Sequence, residues 1–375
     1  MKNFVTPPLI GSEFINLIKL FQKNKIDRSH IIKALYVASI SLLGAPFRAY
    51  DKTKLSPEIL GRDIKHPPIF IIGHWRSGTT YLHHLMSLDD NLAEMTSFQA
   101  FFPGNFLSSE KVWKSIVTPL WISQRPMDNV VYSPNVPEEE EYALGNISNY
   151  SFYHGFFFPK NMLDYFNKYV LFEDLGEKEV LKYKIKYMEI VKKLDLYYEQ
   201  KQLIFKNPTN TARIKILLEL FPQAKFIHIY RNPYIVYASI KNFYNKILPS
   251  FSFHHIDEKA IELNIFIIYQ KLMQTFFDTK DLIPPGNLIE IRYEDFIGNE
   301  VELMKDVYQK FDLSNCEASE NKIKKYLALN SSYQKNKYSL DKATQKKIYQ
   351  NWQFTIDTWN YTIEWTVDLS GNKRK

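Results

Sequence analysis

The segment "PPIFIIGHWRSGTTYLHHLM" at residues 67–86 constrains the fold more than any other part of the chain. Its apolar run indicates a buried strand, which leads into a glycine-containing turn and then a helix. Many α/β proteins build a phosphate-binding loop in this order, but Thr79 stands where such a loop usually carries its lysine. Arg76 supplies a cation from inside the turn instead. The segment therefore predicts an anion-binding loop that works without the lysine.

Predicted strands and helices alternate along much of the chain. Strands are predicted at 202–207, 225–231 and 287–295, and helices at 79–88, 177–199, 210–221, from Tyr234 onward and at 257–280. This alternation predicts an α/β fold, a P-loop-like parallel β-sheet flanked by helices, with helical N- and C-terminal additions. We expect one domain in three parts: a helical N-terminal extension of two helices at 1–66, a nucleotide-binding α/β core at 67–300 and a helical C-terminal region at 301–375.

Composition limits the classes of ligand and the compartment. The 48 Lys and Arg exceed the 41 Asp and Glu by seven, without the dense basic tract of a nucleic-acid binder. We therefore expect no nucleic-acid partner and favour small anions or a membrane surface. The single cysteine, Cys316, excludes an intramolecular disulfide and a cysteine-rich metal site. A reducing compartment suits such a chain, and without a signal-peptide pattern we expect a cytoplasmic protein.

The most apolar stretch lies at residues 31–47. It is shorter than the roughly 20 residues of a membrane-spanning helix, and Lys33, Gly44 and Pro46 interrupt it. We therefore do not expect it to cross a membrane. A helix packed on the core is the favoured interpretation, and an interfacial anchor that gives the protein a peripheral membrane contact is the alternative.

Three predicted strands end in cations: Arg76, Lys206 and Arg231. Because open parallel sheets bind ligands at the carboxyl ends of their strands, we expect these side chains to face one anionic ligand. An ATP-using phosphotransferase usually places a magnesium-binding aspartate at such a strand end, where this chain carries Lys206 and Arg231. Cations in place of a metal suit transfer of a sulfuryl group, which carries less charge than a phosphoryl group.

These segments resemble the sulfotransferases that use 3′-phosphoadenosine 5′-phosphosulfate (PAPS). "RSGTT" is similar to their 5′-phosphosulfate loop, and "YRNPYIVYAS" to their 3′-phosphate motif, in which a serine follows an arginine by eight positions. "FKNP" is similar to the family's lysine-bearing strand end, which lies between these two motifs, and "IRYEDF" resembles a late strand of the family. A bacterial-type branch is most similar, with "GHWRSGTT", "RPMDN", "PEEEEYAL" and "LLELFPQAKFIHIYRNP" in this order. The resemblance covers residues 67 to about 300.

The resemblance implies which residues hold the donor. The 5′-phosphosulfate would be gripped by Arg76 and the following loop residues Ser77, Gly78, Thr79 and Thr80. Lys206 would approach the bridging oxygen and stabilise the leaving phosphate. Lys335 and Lys337 are candidates to close over the nucleotide, although a solvated surface suits a lysine-rich tail better.

The resemblance also implies a site for the rest of the nucleotide. Arg231 and Ser239 would bind the 3′-phosphate at the start of a helix. Tyr293 would border the adenine. Tyr81 occupies a position where cytosolic members carry a tryptophan against the adenine, so it either stacks there or is a core aromatic.

The catalytic base is not evident, because Pro208 stands where cytosolic sulfotransferases place a histidine. The candidates lie in "PEEEEYAL", predicted as a helix that begins near Pro137 and carries Glu138 and Glu141 on one face. The family's acidic pair falls on the two glutamates between them.

Of that pair, Glu139 is favoured over Glu140 as the base. His74, beside the loop, is the runner-up. The acidic run is alternatively no more than a charged helix N-terminus that complements the helix dipole.

The acceptor is not defined by the sequence. Aromatic residues between 98 and 172 suit a hydroxyl or amine on a lipid, carbohydrate or natural product. Two other functions stay open at this point, a P-loop nucleotide kinase and a PAPS-binding protein without turnover. The oligomeric state is open as well.

Overall fold

The computed structural model describes residues 7–121, 124, 132–330 and 338–362. Its described strands form one parallel sheet in the order β2-β3-β1-β4-β5. They are β1 (Ile69–Ile72), β2 (Leu92–Glu94), β3 (Gln202–Lys206), β4 (Lys225–Tyr230) and β5 (Leu288–Arg292). The predicted α/β fold is confirmed. The short edge strand β2 was not predicted, because three residues carry no measurable periodicity.

Helices cover the sheet and extend the chain at both ends. The N-terminal part holds α1 (Phe14–Lys23), α2 (Ile31–Leu43), α3 (Ala45–Lys54) and α4 (Ser56–Leu60). The core holds α5 (Thr79–Met86), α6 (Ser97–Phe101), α7 (Phe106–Val117), α8 (Glu140–Ile147), α9 (His154–Phe157), α10 (Met162–Tyr169), α11 (Glu177–Tyr197), α12 (Ile214–Leu220), α13 (Pro233–Phe251), α14 (Glu258–Thr279) and α15 (Tyr293–Phe296). The last described helices are α16 (Glu300–Lys310), α17 (Cys316–Leu329) and α18 (Lys342–Thr358).

The prediction of two helices before the first strand was wrong, since residues 7–66 form four. Pro46 and Pro57 lie in the first turns of α3 and α4. Proline is well accommodated there, so each one begins a new helix. No single described helix is long and apolar enough to span a membrane, although Arg28–Leu43 and Ala45–Lys54, bent by 41°, meet the length and composition criteria as a pair.

The first strand is buried on both faces. Phe70 and Ile72 belong to a large core on one side of the sheet, and Ile69 and Ile71 to a smaller one on the other. Successive side chains of a strand alternate between faces, and a parallel sheet covered by helices needs apolar residues on both. Leu17 of α1 and Val37 of α2 join the larger core. The N-terminal helices thus pack on the same core as the sheet, and we retain the prediction of a single domain.

The strand register aligns the ends that carry the predicted cations. Ile71 of β1 pairs with Lys206 of β3, and Ile72 pairs with His228 of β4. The backbone N–H of Gly73 donates to the hydroxyl of Thr211 at 2.7 Å, which fastens the start of the loop to the segment after β3. The three connections therefore leave the sheet side by side.

Candidate active site

The loop between β1 and α5 depends on two glycines. Gly73 has φ +138° and Gly78 has φ +104°, conformations that other residues rarely adopt. A Cβ on Gly78 would also lie 2.4 Å from Cδ2 of Tyr293. Arg76 is left-handed as well, with φ +72°, at a cost of about 1–2 kcal/mol for a non-glycine residue. This backbone leads directly into the N-terminus of α5, where free N–H groups and the helix dipole favour an anion.

The predicted 3′-phosphate residues lie together beside this loop. Nε of Arg76 donates to the Ser239 hydroxyl at 3.0 Å, and Nη1 of Arg231 donates to the Arg76 carbonyl at 3.3 Å. The Arg231 guanidinium stacks on the Tyr293 ring, 4.1 Å from its centroid. Its buried Nε has no hydrogen-bond partner among the described residues. An uncompensated buried donor on a cation is what a phosphate oxygen would satisfy.

Tyr81 makes contacts that are typical of an aromatic residue in a protein core. Its hydroxyl donates to Glu300 at 3.1 Å, and its ring packs edge-on against Phe296 with centroids 5.8 Å apart. Of the two interpretations, these contacts favour the core aromatic. Its role toward the adenine stays a prediction.

The predicted helix start near Pro137 was wrong, since α8 begins at Glu140. Pro137 forms an antiparallel bridge with Thr96, and the N–H of Glu138 donates to the Met95 carbonyl at 2.8 Å. These contacts hold the segment before α8 extended. Glu138 and Glu139 therefore leave the chain from an extended segment, so a helical wheel does not describe their directions.

Glu140 and Glu141 point into a buried polar network. Glu140 accepts hydrogen bonds from Asn210 at 2.7 Å and from Tyr187 at 3.0 Å. Glu141 accepts from both terminal nitrogens of Arg213, at 2.5 and 3.1 Å. These bonds connect α8 to the segment after β3, which gives both carboxylates a structural task. Neither lines the large cavity described below.

Glu139 instead forms an ion pair with Lys206 and accepts a hydrogen bond from the Tyr153 hydroxyl. Trp75 Nε1 in turn donates to the Tyr153 oxygen at 3.2 Å. All four side chains are buried. Burial raises the pKa of the Glu139 carboxyl to about 7, although the Lys206 ammonium pulls it in the opposite direction. A carboxyl that titrates near neutral pH is matched to proton transfer.

The described contacts of His74 are with Trp75 and Tyr269. Its Nδ1 lies 2.8 Å from the Trp75 carbonyl, and its ring centroid lies 4.9 Å from that of Tyr269. Burial lowers the pKa of His74 to about 4. Among the described residues it is not part of the cavity wall.

A cavity of about 420 Å³ is lined by residues of the loop, by Glu139 of the ion pair and by residues of the N-terminal helices. At one end it is lined by Arg76, Thr79, Thr80 and Glu139. Most of the remaining wall is apolar or aromatic, and includes Tyr36, Ile40, Phe47, Trp113, Phe243 and Phe251. The cavity therefore has one reactive, charged end and a long apolar section.

The sequence did not single out Tyr153 or Trp75, whereas aromatic residues of the region 98–172 that was expected to suit the acceptor, such as Phe101, Trp113 and Phe156, do line the cavity. Tyr153 is one of many aromatics in its region, so nothing in the sequence distinguishes it. Ala34 and Val37 of the stretch at 31–47 pack in the core, as the favoured interpretation predicts, and four other side chains of the stretch line the cavity. Lys335, Lys337 and "RPMDN" lie outside the described residues.

The strand that was not predicted, β2, ends in a carboxylate, Glu94. Burial raises the pKa of Glu94 to about 7, and the residue lies on an edge strand outside the cavity wall. Within the described residues, no group of three His, Cys, Asp or Glu side chains is arranged to hold a metal ion.

A glycine loop, three strand-end connections with cations and a helix N-terminus define an α/β protein with a site for an anionic ligand at the carboxyl edge of its parallel sheet. The model of the sulfotransferase family matches residues 67–317, and the chain belongs to that family. It is 30% identical over 368 residues to the omega-hydroxy-beta-dihydromenaquinone-9 sulfotransferase Stf3 of Mycobacterium bovis and of Mycobacterium tuberculosis. The match covers 96% of this chain and 92% of those relatives.

Solved structures show the same fold. Sulfotransferase STF9 from Mycobacterium avium superposes with a TM-score of 0.67 at 15% identity, covering 94% of this chain and 98% of that one. STF1 from Mycobacterium tuberculosis gives 0.63 at 16% identity, covering 87% and 89%. The protein is accordingly a PAPS-dependent sulfotransferase. The unsatisfied Arg231 Nε and the two obligatory glycines of the loop fit this donor.

Proposed function

We propose that this enzyme transfers the sulfuryl group of PAPS to a hydroxyl of an apolar lipid. The observation that carries the proposal is the position of Glu139, which lines the cavity where the loop meets the apolar wall and is paired with Lys206. A lipid acceptor whose hydroxyl lies beside the Glu139 carboxylate would have its hydrocarbon chain against the apolar wall of the cavity.

Apolar surroundings favour a lipid over a carbohydrate. A sugar presents many hydroxyls, and each one loses its hydrogen bonds to water when it enters an apolar wall, which costs about 1–3 kcal/mol per unsatisfied group. The long section toward the N-terminal helices is walled by side chains such as Ile40, Phe47 and Phe251. The Mycobacterium relatives are named for a menaquinone derivative, an acceptor of lipid type.

Glu139 is proposed as the base. The donor supplies an activated sulfuryl group, whose bond to the bridging oxygen breaks as a new bond forms between sulfur and the acceptor oxygen. Glu139 accepts the proton of that hydroxyl, and Lys206 donates toward the bridging oxygen as negative charge develops there. Tyr153 holds the second oxygen of the Glu139 carboxylate and so fixes its direction.

The ion pair also suggests how the base is activated. Lys206 is bound to Glu139 in this structure, and an anionic group at the loop would compete for the same ammonium. A carboxylate that loses its cation in a buried site becomes a stronger base, because the nearby positive charge had lowered its pKa. Donor binding thus prepares Glu139 for the acceptor.

We propose further that the reaction needs no divalent metal. The connections that surround the loop carry Arg76, Lys206 and Arg231, so the negative charge of the donor meets cations already present in the chain. Turnover is expected to be unchanged after treatment with a chelator. Complete inhibition that magnesium restores would contradict this.

The test of the acceptor class uses sulfur-35 PAPS. The purified enzyme is incubated with an extract of the source cells, divided into an organic and an aqueous fraction. We expect label in a molecule of the organic fraction, and about 10² to 10⁴ times slower labelling when a Glu139→Gln variant replaces the enzyme. Label confined to a water-soluble carbohydrate or metabolite would overturn the lipid proposal. The cytoplasmic location stays a prediction.

A further inference from the structure

Three helices at the mouth of the cavity expose an unusual number of apolar side chains. We call this surface the docking face, and it consists of Ile32, Leu35 and Leu43 of α2, Phe47 of α3, and Val112 and Ile116 of α7. On α2 the opposite side holds Ala34, Val37 and Ser41, which are buried. The helix is thus apolar on both sides, one toward the core and one toward solvent. Contiguous exposed apolar surface of this kind marks a binding site.

The docking face is continuous with the cavity. Leu43, Phe47 and Ile116 are exposed and also line the cavity wall. Phe47 packs edge-on against Trp113, 5.9 Å between ring centroids, which joins α3 to α7 at this point. A molecule that covers the face would therefore sit directly over the apolar entrance to Glu139.

Cations flank the apolar side chains. Arg28 precedes α2, Lys52 and Lys54 lie in the last turn of α3, and Lys111 precedes Val112 on α7; all four are exposed. Lys33 is held instead by the carbonyls of Ser250 and Ser252 at the end of α13. Apolar side chains that enter a bilayer and basic residues that meet anionic headgroups are the two components of interfacial binding.

We propose that the docking face binds the surface of an anionic bilayer and that the lipid acceptor enters the cavity from it. This inference rests on the proposed lipid acceptor. We propose an interfacial position for these helices, because the side of α2 that holds Ala34, Val37 and Ser41 is buried in the protein and only the opposite side is free to meet lipid. A second copy of the chain is the weaker occupant, since a protein seated on the face would close the entrance.

The test compares two triple variants of the full chain. The first is Ile32→Asp, Leu35→Asp and Val112→Asp, three positions with exposures of 83%, 64% and 51% that do not line the cavity. The control is Leu329→Asp, Leu181→Asp and Leu263→Asp, with matched exposures of 83%, 57% and 56% on other helices. Flotation with vesicles of phosphatidylcholine, with and without phosphatidylglycerol, measures binding.

We expect the wild type and the control to float with the anionic vesicles, and the face variant to bind them at least about tenfold more weakly. A wild type that does not float, or a control that loses as much, would overturn the proposal. So would a wild-type dimer, by sedimentation, that the face variant converts to a monomer.

A second assay separates this proposal from the proposed function. The acceptor identified with sulfur-35 is presented either in detergent or in vesicles. We expect the face variant to retain wild-type turnover in detergent and to lose about tenfold in vesicles. If the face variant turned over the acceptor in vesicles as fast as the wild type does, that result would contradict docking. A wild type inactive on every lipid, but still bound to vesicles, would contradict the acceptor class and leave docking supported.

Discussion

Glu139 differs from its neighbours in what its carboxylate contacts. The carboxylates of Glu140 and Glu141 accept hydrogen bonds from amide, phenol and guanidinium donors, and these bonds connect α8 to the segment after β3. Glu138 accepts a hydrogen bond from Tyr132 at 2.8 Å. Only the Glu139 carboxylate, within this run, is paired with the lysine at the end of β3. Four identical residues in a row have the same propensities, so their roles depend on tertiary contacts that the sequence does not display.

Replacing Glu139 by Gln is expected to lower turnover by about 10² to 10⁴, because the amide cannot accept the proton. The matched control is Glu138→Gln, which alters a neighbouring cavity-lining carboxylate and should keep turnover within a few-fold of wild type. The Glu139 variant leaves Lys206 buried without its counter-charge, at a cost of about 3–5 kcal/mol of stability. Thermal unfolding must therefore accompany the kinetics. Equal losses in both variants would contradict the assignment.

The pH dependence of kcat/KM follows from the raised pKa of Glu139. Below pH 7 the carboxyl of the free enzyme is increasingly protonated and cannot act as a base, so kcat/KM for PAPS, which reports the free enzyme, is expected to fall with decreasing pH around the pKa of about 7. The residual activity of Glu139→Gln should not show this fall in kcat/KM with decreasing pH. A wild-type profile that is flat between about pH 5.5 and 8 would show that another group accepts the proton.

Arg231 is predicted to bind the 3′-phosphate of the nucleotide. Adenosine 3′,5′-bisphosphate offers a 3′-phosphate to Arg231 and Ser239, whereas AMP does not, so only the bisphosphate should raise the melting temperature strongly. Arg231→Ala should remove most of this difference. The wild-type protein would contradict the assignment if AMP and the bisphosphate stabilised it equally.

At the level of elements, the loop and α5 were predictable because their signals are local. An apolar run, two glycines five positions apart and a helix start lie within twenty residues, and the structure uses each as expected. The start of α8 was not predictable in this way. Its position is determined by a bridge between Thr96 and Pro137 and by a bond to Met95, which are distant in sequence. Likewise, β2 exists because β3 is available to pair with it.

Gly78→Ala tests the geometry of the loop. The new methyl group would meet the Tyr293 ring at 2.4 Å in a left-handed backbone, so the loop and the ring stacked on Arg231 must move. We expect loss of bisphosphate binding by at least about tenfold, measured by calorimetry, with retained helical circular dichroism. Gly286→Ala is the matched control, because Gly286 also has positive φ but its added Cβ meets nothing within 4 Å. Unchanged binding in Gly78→Ala would show that the nucleotide does not use this loop.

At the scale of the whole molecule, two parts of the chain meet at one ion pair. The sheet places the donor loop and Lys206 side by side, and the N-terminal helices supply much of the apolar wall. The resemblance to the sulfotransferases indicated the donor loop and Lys206, because each of their motifs is contiguous in sequence. The contribution of the N-terminal helices to the cavity wall was not predictable, since apolar helices that line a cavity have the same composition as helices buried in a core.

The central claim is that the cavity receives the hydrocarbon of a lipid and presents its hydroxyl to Glu139. The most direct measurement is kcat/KM for a series of primary alcohols of one to four isoprene units, in one detergent at saturating PAPS. Each buried CH₂ contributes about 0.8 kcal/mol, roughly fourfold, so kcat/KM should rise steeply with length until the cavity is filled. A series in which kcat/KM does not change with length, or in which a sugar hydroxyl is the better acceptor, would contradict the account.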